Sequence, residues 1–245
     1  FKQKTAYEIG VRLVGSEMCI RDRYMNAYDN RMRMGREVIA DKGIWTAKKR
    51  YILNVHDSEG VRYKTPRLKM MGIETAKSST PMWCRKKLEK GLKVVMNKTE
   101  HDVWEFIEDA WNEFKTLPIE EISFPRGVQN VTNYQNVASI YKKGTPIHVR
   151  GSLLYNNYLS KYNIDKKYPV ITNGEKIKFC YLKMPNTINE NVISFVNVLP
   201  KEFELEPYID YDTQFSKSFV EPLGVILDKI GWTTEPVSTL DNFFG

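Results

Sequence analysis

Residues 45–55 read WTAKKRYILNV and lead through the turn-forming run HDSEG (56–60) into VRYK (61–64), which Thr65-Pro66 separates from RLKMM (67–71). Apolar, aromatic and β-branched residues alternate with charged ones here, and turn formers bound each run, so three short strands are expected, with Pro66 as the break between the last two. Strand alternation over 45–55 puts Lys49, Tyr51, Leu53 and Val55 on one face and Lys48, Arg50 and Ile52 on the other. A lysine and a tyrosine at the edge of such a face can grip a polymer backbone.

Outward from this sheet the texture changes to helix. Ser78, Ser79 and Thr80 offer a hydroxyl cap and Pro81 a first helical residue, where a missing N–H costs nothing. Cys84, Leu88, Leu92, Val95 and Met96 then form an apolar stripe, opposite Arg85, Lys86, Lys87, Lys90 and Lys93. A second helix starts at Thr99, with Asp102 completing a partial capping box. Its stripe, Val103, Phe106, Ile107, Ala110, Trp111 and Phe114, is expected to be core.

Beyond Pro118 the pattern predicts a short helix at 134–141, a loop at 142–146 and a helix at 151–161. Two alternating segments, 176–183 and 192–198, suggest a hairpin with a long connection. A last helix over 213–230 buries Phe215, Phe219, Leu223, Ile226, Leu227 and Ile230, with Pro222 as a kink. Residues 231–239 look like a linker, and Leu240, Phe243 and Phe244 follow at i, i+3 and i+4, so one helical turn aims all three at one hydrophobic groove.

The 245 residues suffice for one large domain or two small ones. With 42% hydrophobic and 27% charged residues the composition is that of a packed globular protein and excludes wholesale disorder. Cys19, Cys84 and Cys180 form no CxxC pair, and His56, His101 and His148 are scattered, which disfavours a disulfide scaffold and a structural zinc site. No run reaches the roughly 18 apolar residues of a membrane span. Residues 1–23 (FKQKTAYEIGVRLVGSEMCIRDR) show no period that carries on past Arg23, and they resemble a translated adapter peptide found at open-reading-frame ends in environmental assemblies. They are read as a non-native scar and set apart from the fold.

The net charge of +7 is uneven. From Lys201 onward three basic residues face nine acids, a balance of −6, leaving 34 basic against 21 acidic residues, +13, in the first 200. That asymmetry fits a polyanion-binding body followed by a less basic tail, or a merely solvated basic surface. The densest chemistry lies in Lys48-Lys49-Arg50-Tyr51 and, near in sequence, Lys77-Ser78-Ser79-Thr80 at a helix start. Ammonium groups, hydroxyls and helix N–H groups hold phosphates, a mode of contact that tolerates any base sequence.

On these residues the chain resembles the family B replicative DNA polymerases, in particular those of T-even-like tailed bacteriophages. The segments WTAKKRYILNV (45–55) and LKMMGIETAKSSTP (68–81) are similar to the end of the palm and its passage into the thumb. Weaker matches continue through IHVRGSLLYN (147–156), GEKI (174–177), KSFVEPL (217–223) and STLDNFFG (238–245), so the likeness runs from about residue 24 to 245. It implies an α+β chain: a small antiparallel palm-edge sheet (24–72), a mainly helical thumb (73–230), and a linker with a clamp-binding peptide (231–245). It further implies that Lys49 and Tyr51 lie against the primer strand and that Lys77 approaches the new duplex. The neighbouring Lys48, Arg50, Ser78, Ser79 and Thr80 join the expected DNA-binding set, with solvent-facing charge the other reading of Lys48 and Arg50. Leu240, Phe243 and Phe244 become the clamp contacts. The partners implied are primer-template duplex DNA and a sliding clamp, with no membrane, in the cytoplasm of an infected bacterial host.

Polymerase chemistry needs two carboxylates holding two metal ions. The family supplies them from DxxSLYPS-like and YxDTD-like motifs, and neither is present. The run Tyr208-Ile209-Asp210-Tyr211-Asp212-Thr213 mimics the second, yet lies where the family has thumb, so helix capping or solvated charge is its expected role. The implied function is therefore the C-terminal part of a DNA-directed DNA polymerase, with no catalytic or metal-binding residue of its own and inactive alone. Mg2+ is expected only for the intact enzyme. Two alternatives stay open: a non-catalytic, clamp-tethered duplex-binding accessory protein, and a basic RNA-binding domain, the latter without a glycine-rich or aromatic RNA signature.

Overall fold

A computed structural model describes residues 36–236. The adapter-like residues 1–23 and the tail residues Leu240, Phe243 and Phe244 lie outside the described residues. The chain divides into two compact units, one ending at Ile73 and the other beginning at Glu74. Together they form a small antiparallel three-stranded sheet followed by helices, the α+β class expected.

In the first unit β1 (Val38–Ala47), β2 (Arg50–Ser58) and β3 (Val61–Met71) form an antiparallel meander in the order β1-β2-β3. The single strand expected over 45–55 is in fact two. The chain reverses at Lys48 and Lys49, so that Ala47 pairs with Arg50 and Trp45 with Tyr51. Lys49 adopts a left-handed φ of 62° and sits in the turn rather than on the face of Tyr51. Consecutive charged residues with nothing to bury are accommodated most easily in a solvated turn. At the second turn Glu59 and Gly60 both have positive φ, 52° and 87°, the sense of twist that matches a hairpin. Asp57 holds this turn by accepting hydrogen bonds from the Gly60 N–H at 3.0 Å and from Arg36 at 3.0 Å.

Pro66 does not break the third strand. Val55 pairs with Arg67 whereas Asp57 pairs with Arg62, so residues 63–66 bulge out and the proline occupies a stretch where no ladder donor is required.

The second unit begins with α1 (Met82–Asn97) and α2 (Glu100–Phe114). The hydroxyl cap expected for α1 is absent: Pro81 takes the cap position with an extended ψ of 145°, no side chain caps the helix, and Thr80 turns inward. Thr99 and Asp102 do form the full capping box of α2. All five residues of the α1 stripe are buried, as are Val103, Ala110 and Phe114, whereas Phe106, Ile107 and Trp111 are half-buried. Trp83 meets Phe114 edge-on at 5.4 Å between ring centroids, and Trp111 lies 5.2 Å from Phe215.

The short helix α3 (Ile119–Ile122) leads into β4 (Phe124–Gly127), a strand the sequence does not announce. It pairs with β7 (Lys176–Tyr181), which pairs with β8 (Val192–Phe195), the hairpin expected from the two alternating segments. The helix expected over 134–141 is instead a single turn, α4 (Val131–Tyr134), followed by the two-residue strands β5 (Gln135–Asn136) and β6 (Ile140–Tyr141). α5 starts earlier than expected, at Ile147, directly after Pro146, and runs to Lys161. It crosses β8 closely at Gly151, where a Cβ would lie 2.9 Å from the Ser194 backbone nitrogen.

The last expected helix is assembled from α6 (Tyr211–Phe215), a π-helical stretch Ser216–Val220 and α7 (Glu221–Leu227). The wider π turn precedes Pro222 and supplies the room its ring and missing N–H require, so the helix expands where a kink is anticipated. Phe215, Phe219, Leu223, Ile226 and Leu227 are buried, but Ile230 is exposed, beyond the end of α7. Buried Gln214 ties this element to the sheet: its amide donates to the Ile122 carbonyl at 2.6 Å and accepts from the Tyr181 N–H.

Candidate nucleic-acid interface

The sheet unit presents its basic residues at the β1–β2 turn. Lys48 and Lys49 are exposed, and neither makes an ion pair among the described residues. Arg50 is engaged within the sheet, its Nε donating to the Gly72 carbonyl at 3.1 Å. Gly72, with φ of 65°, approaches so closely that a Cβ there would lie 2.6 Å from the Lys49 carbonyl oxygen. The turn carrying the two lysines is thus clamped from beneath by the end of β3, while their ammonium groups extend into solvent.

Trp45, Tyr51 and Met71 lie opposite one another across the three strands, and directly paired residues project from the same face. Trp45 is 64% exposed, and its indole ring lies close to Gly43, where a Cβ would come within 2.7 Å of it. Beside the lysine turn there is consequently a shelf of indole, phenol and thioether. Flat aromatic surfaces pack on sugars and bases, and ammonium groups pair with phosphates. Sequence reasoning missed Trp45, treating it as the start of a strand; the available signal was a large aromatic six residues before the tyrosine across a charged turn.

Other cations of this unit are partly engaged. Lys69 donates to Glu37 at 3.0 Å, which raises the Lys69 pKa, and the Arg67 guanidinium lies 4.6 Å over the Tyr63 ring. Asn54 donates to Asp41 at 2.8 Å and the His56 imidazole lies 3.2 Å from the same carboxylate; burial pushes the Asp41 pKa up, but these two neighbours outweigh it and leave it below its usual value.

In the helical unit the second expected cluster is only partly available. Lys77 is exposed and pairs with Glu74 at 2.6 Å, and Ser78 is exposed. The Ser79 carbonyl accepts from Arg126 at 3.4 Å. Thr80 is only 6% exposed, so its hydroxyl is not presented at the surface. On α1, Lys86 and Lys90 are exposed, whereas Lys87 serves the fold: its Nζ lies 2.5 Å from Glu113 and 5.2 Å from the Phe106 ring centroid. Lys87 and the Trp83 indole, which also donates to Glu113, hold that carboxyl below the usual range.

A further basic surface escaped the sequence reading. The β5–β6 hairpin leaves Val137 fully exposed at its tip and continues into exposed Lys142 and Lys143. Its base is held by Tyr141, which donates to Glu190 at 2.5 Å, while the Arg150 guanidinium sits 5.7 Å over the Tyr141 ring. The signal was the lysine pair before Gly144, which reads as an ordinary loop.

The mimic of a two-aspartate metal site resolves into structural roles. Asp210 caps α6, accepting from the Thr213 N–H at 3.0 Å and its hydroxyl at 2.7 Å. Asp212 is exposed and pairs with Lys183 at 2.9 Å. Among the described residues no helix is long and apolar enough to cross a membrane.

No family model matches the chain. Individual proteins do. It is 32% identical over 234 residues to the DNA-directed DNA polymerase of Enterobacteria phage T4, covering 91% of this chain and 26% of that protein. It is 36% identical over 220 residues to the DNA-directed DNA polymerase of Escherichia phage RB69, covering 84% of this chain and 24% of that protein. The chain thus spans about a quarter of the length of the curated relatives it matches. Over most of its own residues, then, the chain is similar to one part of the DNA-directed DNA polymerases of these two phages.

Proposed function

We propose that this chain holds primer-template duplex DNA as the end of the palm and the thumb of a family B DNA-directed DNA polymerase. In the same reading Leu240, Phe243 and Phe244 tether it to a sliding clamp in the infected bacterial cell. The observation that carries the DNA reading is the β1–β2 turn, held by the close approach of Gly72. It offers two lysines without carboxylate partners among the described residues, Lys48 and Lys49, next to the Trp45–Tyr51 shelf, in a chain related to enzymes that act on DNA. Lys77, Ser78, Lys86 and Lys90 of α1, and Lys142 and Lys143 after the β5–β6 hairpin add backbone contacts along the duplex.

Nucleotide addition belongs to the longer protein. Paired carboxylates in that protein would be needed to hold Mg2+, which would supply the Lewis-acid chemistry of phosphoryl transfer. Asp210 is engaged as a helix cap and Asp212 by Lys183, so neither fits that role. On this reading the chain alone adds no nucleotide to a primer, and incorporation by the purified chain with Mg2+ would falsify it.

Binding of a fluorescent duplex with a recessed 3′ end, followed by anisotropy, tests the grip. Replacing Lys48 and Lys49 together by alanine is expected to weaken it by about an order of magnitude at low salt. Unchanged affinity sinks the assignment of the turn. For the tail, Leu240→Asp with Phe243→Asp should abolish retention on an immobilised clamp while leaving duplex affinity intact.

A further inference from the structure

Between α2 and the π-helical stretch lies an open groove of about 530 Å³. Its floor is apolar: Trp104, Ile107 and Trp111 from α2 face Phe215 and Val220. The three α2 residues fall at i, i+3 and i+7 and are each half-buried, a row that one more apolar layer would complete.

The chain itself arrives at this groove. Residues 232–236 are fastened along its edge rather than forming the free linker the sequence suggests. The Trp104 indole donates to the Thr233 carbonyl at 2.9 Å, the Thr233 N–H donates to Glu100 at 2.7 Å, and Trp232 donates from its N–H to the Leu227 carbonyl. Thr234, Glu235 and Pro236 line the groove, and nine residues follow Pro236. Leu240 is four residues on, within about 14 Å of Pro236 for an extended chain. The groove runs along eleven residues of α2, His101 to Trp111, or about 15 Å.

We infer that the tail folds back into this groove, with Leu240, Phe243 and Phe244 packed against Trp104, Ile107, Trp111 and Phe215. Three large apolar groups at i, i+3 and i+4 match a helix-in-groove mode, and the pinned 232–236 segment removes most of the entropy of finding it. The rim is acidic, with Glu105, Glu108 and Glu235 facing a tail that carries Asp241. Attraction here is therefore apolar, and screening the like charges strengthens closure. The inference goes beyond the clamp reading and does not depend on it; if that reading also holds, the groove and a clamp compete for the same three side chains.

Disulfide trapping in the full chain tests this. Glu108→Cys lines the groove and Asn242→Cys lies between the tail's apolar residues; Cys19→Ser removes the chain's third thiol. Cys84 and Cys180 stay silent because they are buried, with their thiol pKa values pushed up by burial to about 11 and about 12. Under mild oxidation at micromolar protein, the Glu108→Cys, Asn242→Cys pair is expected to close within monomers at least tenfold faster than a Glu89→Cys, Asn242→Cys control. The rate should hold or rise with salt. It should fall to the control level with Leu240→Asp, Phe243→Asp and Phe244→Asp together, which leave the described fold untouched, and with Ile107→Asp. Closure no faster than the control, closure that weakens with salt, or cross-linked dimers showing a second copy in the groove would each overturn the inference.

Discussion

Lys49 combines two properties that separate by mutation. Its left-handed φ of 62° strains any residue with a Cβ, at roughly 1–2 kcal/mol, while its side chain is exposed to solvent. Lys49→Gly relieves the strain and removes the charge. It is expected to raise the stability of the β1–β2 hairpin by about 0.5–1 kcal/mol, allowing for the extra freedom of glycine in the unfolded chain, and to lower duplex affinity. Urea unfolding and anisotropy on the same preparation check both; a loss of stability would mean that Lys49 makes a contact its exposure does not suggest. Gly72 is the opposite case, a residue whose freedom is used up in letting the chain pass 2.6 Å from the Lys49 carbonyl at its missing Cβ position.

Among the elements, α2 shows how far a local signal carries. Thr99 and Asp102, three apart before an apolar stripe, predict the capping box that forms. The hydrogen bonds from Thr99 lower the Asp102 pKa, with Lys98 adding to the effect. A depressed carboxylate contributes stability that is complete above its unfolded value near pH 4 and lost as pH falls through the folded value. Thr99→Ala is therefore expected to cost about 1 kcal/mol at pH 7 and to flatten the acid dependence of the urea midpoint below about pH 4. Equal acid sensitivity in both proteins would count against the box. For α5 on β8 the decisive residue is Gly151, whose Cβ position is filled by Ser194. Gly151→Ala should destabilise the helical unit by about 1–3 kcal/mol, visible as a lower urea midpoint, despite its better helix propensity. The stripes of α1 and α2 and the β7–β8 hairpin were legible because burial repeats at the helix or strand period. The Lys48–Lys49 reversal, β4 and the β5–β6 hairpin were not, because each depends on a partner distant in sequence or on a turn built without glycine. For the same reason the sequence places Lys49 and Tyr51 in the candidate site but omits Trp45, which reaches it only through cross-strand pairing.

Over the whole chain, charge follows folding rather than sequence order. The acidic stretch after Lys201 reads as a separate, less basic tail, yet residues 201–230 fold within the helical unit, where Glu202 meets Lys167 at 2.5 Å and Asp212 meets Lys183 at 2.9 Å. Such exposed pairs add little stability. Their consequence is selective: cations already matched to a carboxylate release no counterion on meeting a phosphate, so the net charge of +7 overstates some lysines and hides others. Lys48 and Lys49, without carboxylate partners among the described residues, should dominate the salt dependence of duplex binding. Each phosphate neutralised contributes about 0.9 to the slope of log K against log salt. Lys48→Ala with Lys49→Ala is then expected to lower that slope by nearly 2, whereas Lys167→Ala with Lys183→Ala, an equal loss of formal charge, leaves it nearly unchanged. Measuring the three slopes between about 50 and 200 mM salt decides whether the turn grips the backbone or merely adds to a diffuse field. Equal falls in both double variants would assign binding to net charge alone and remove the turn from the interface.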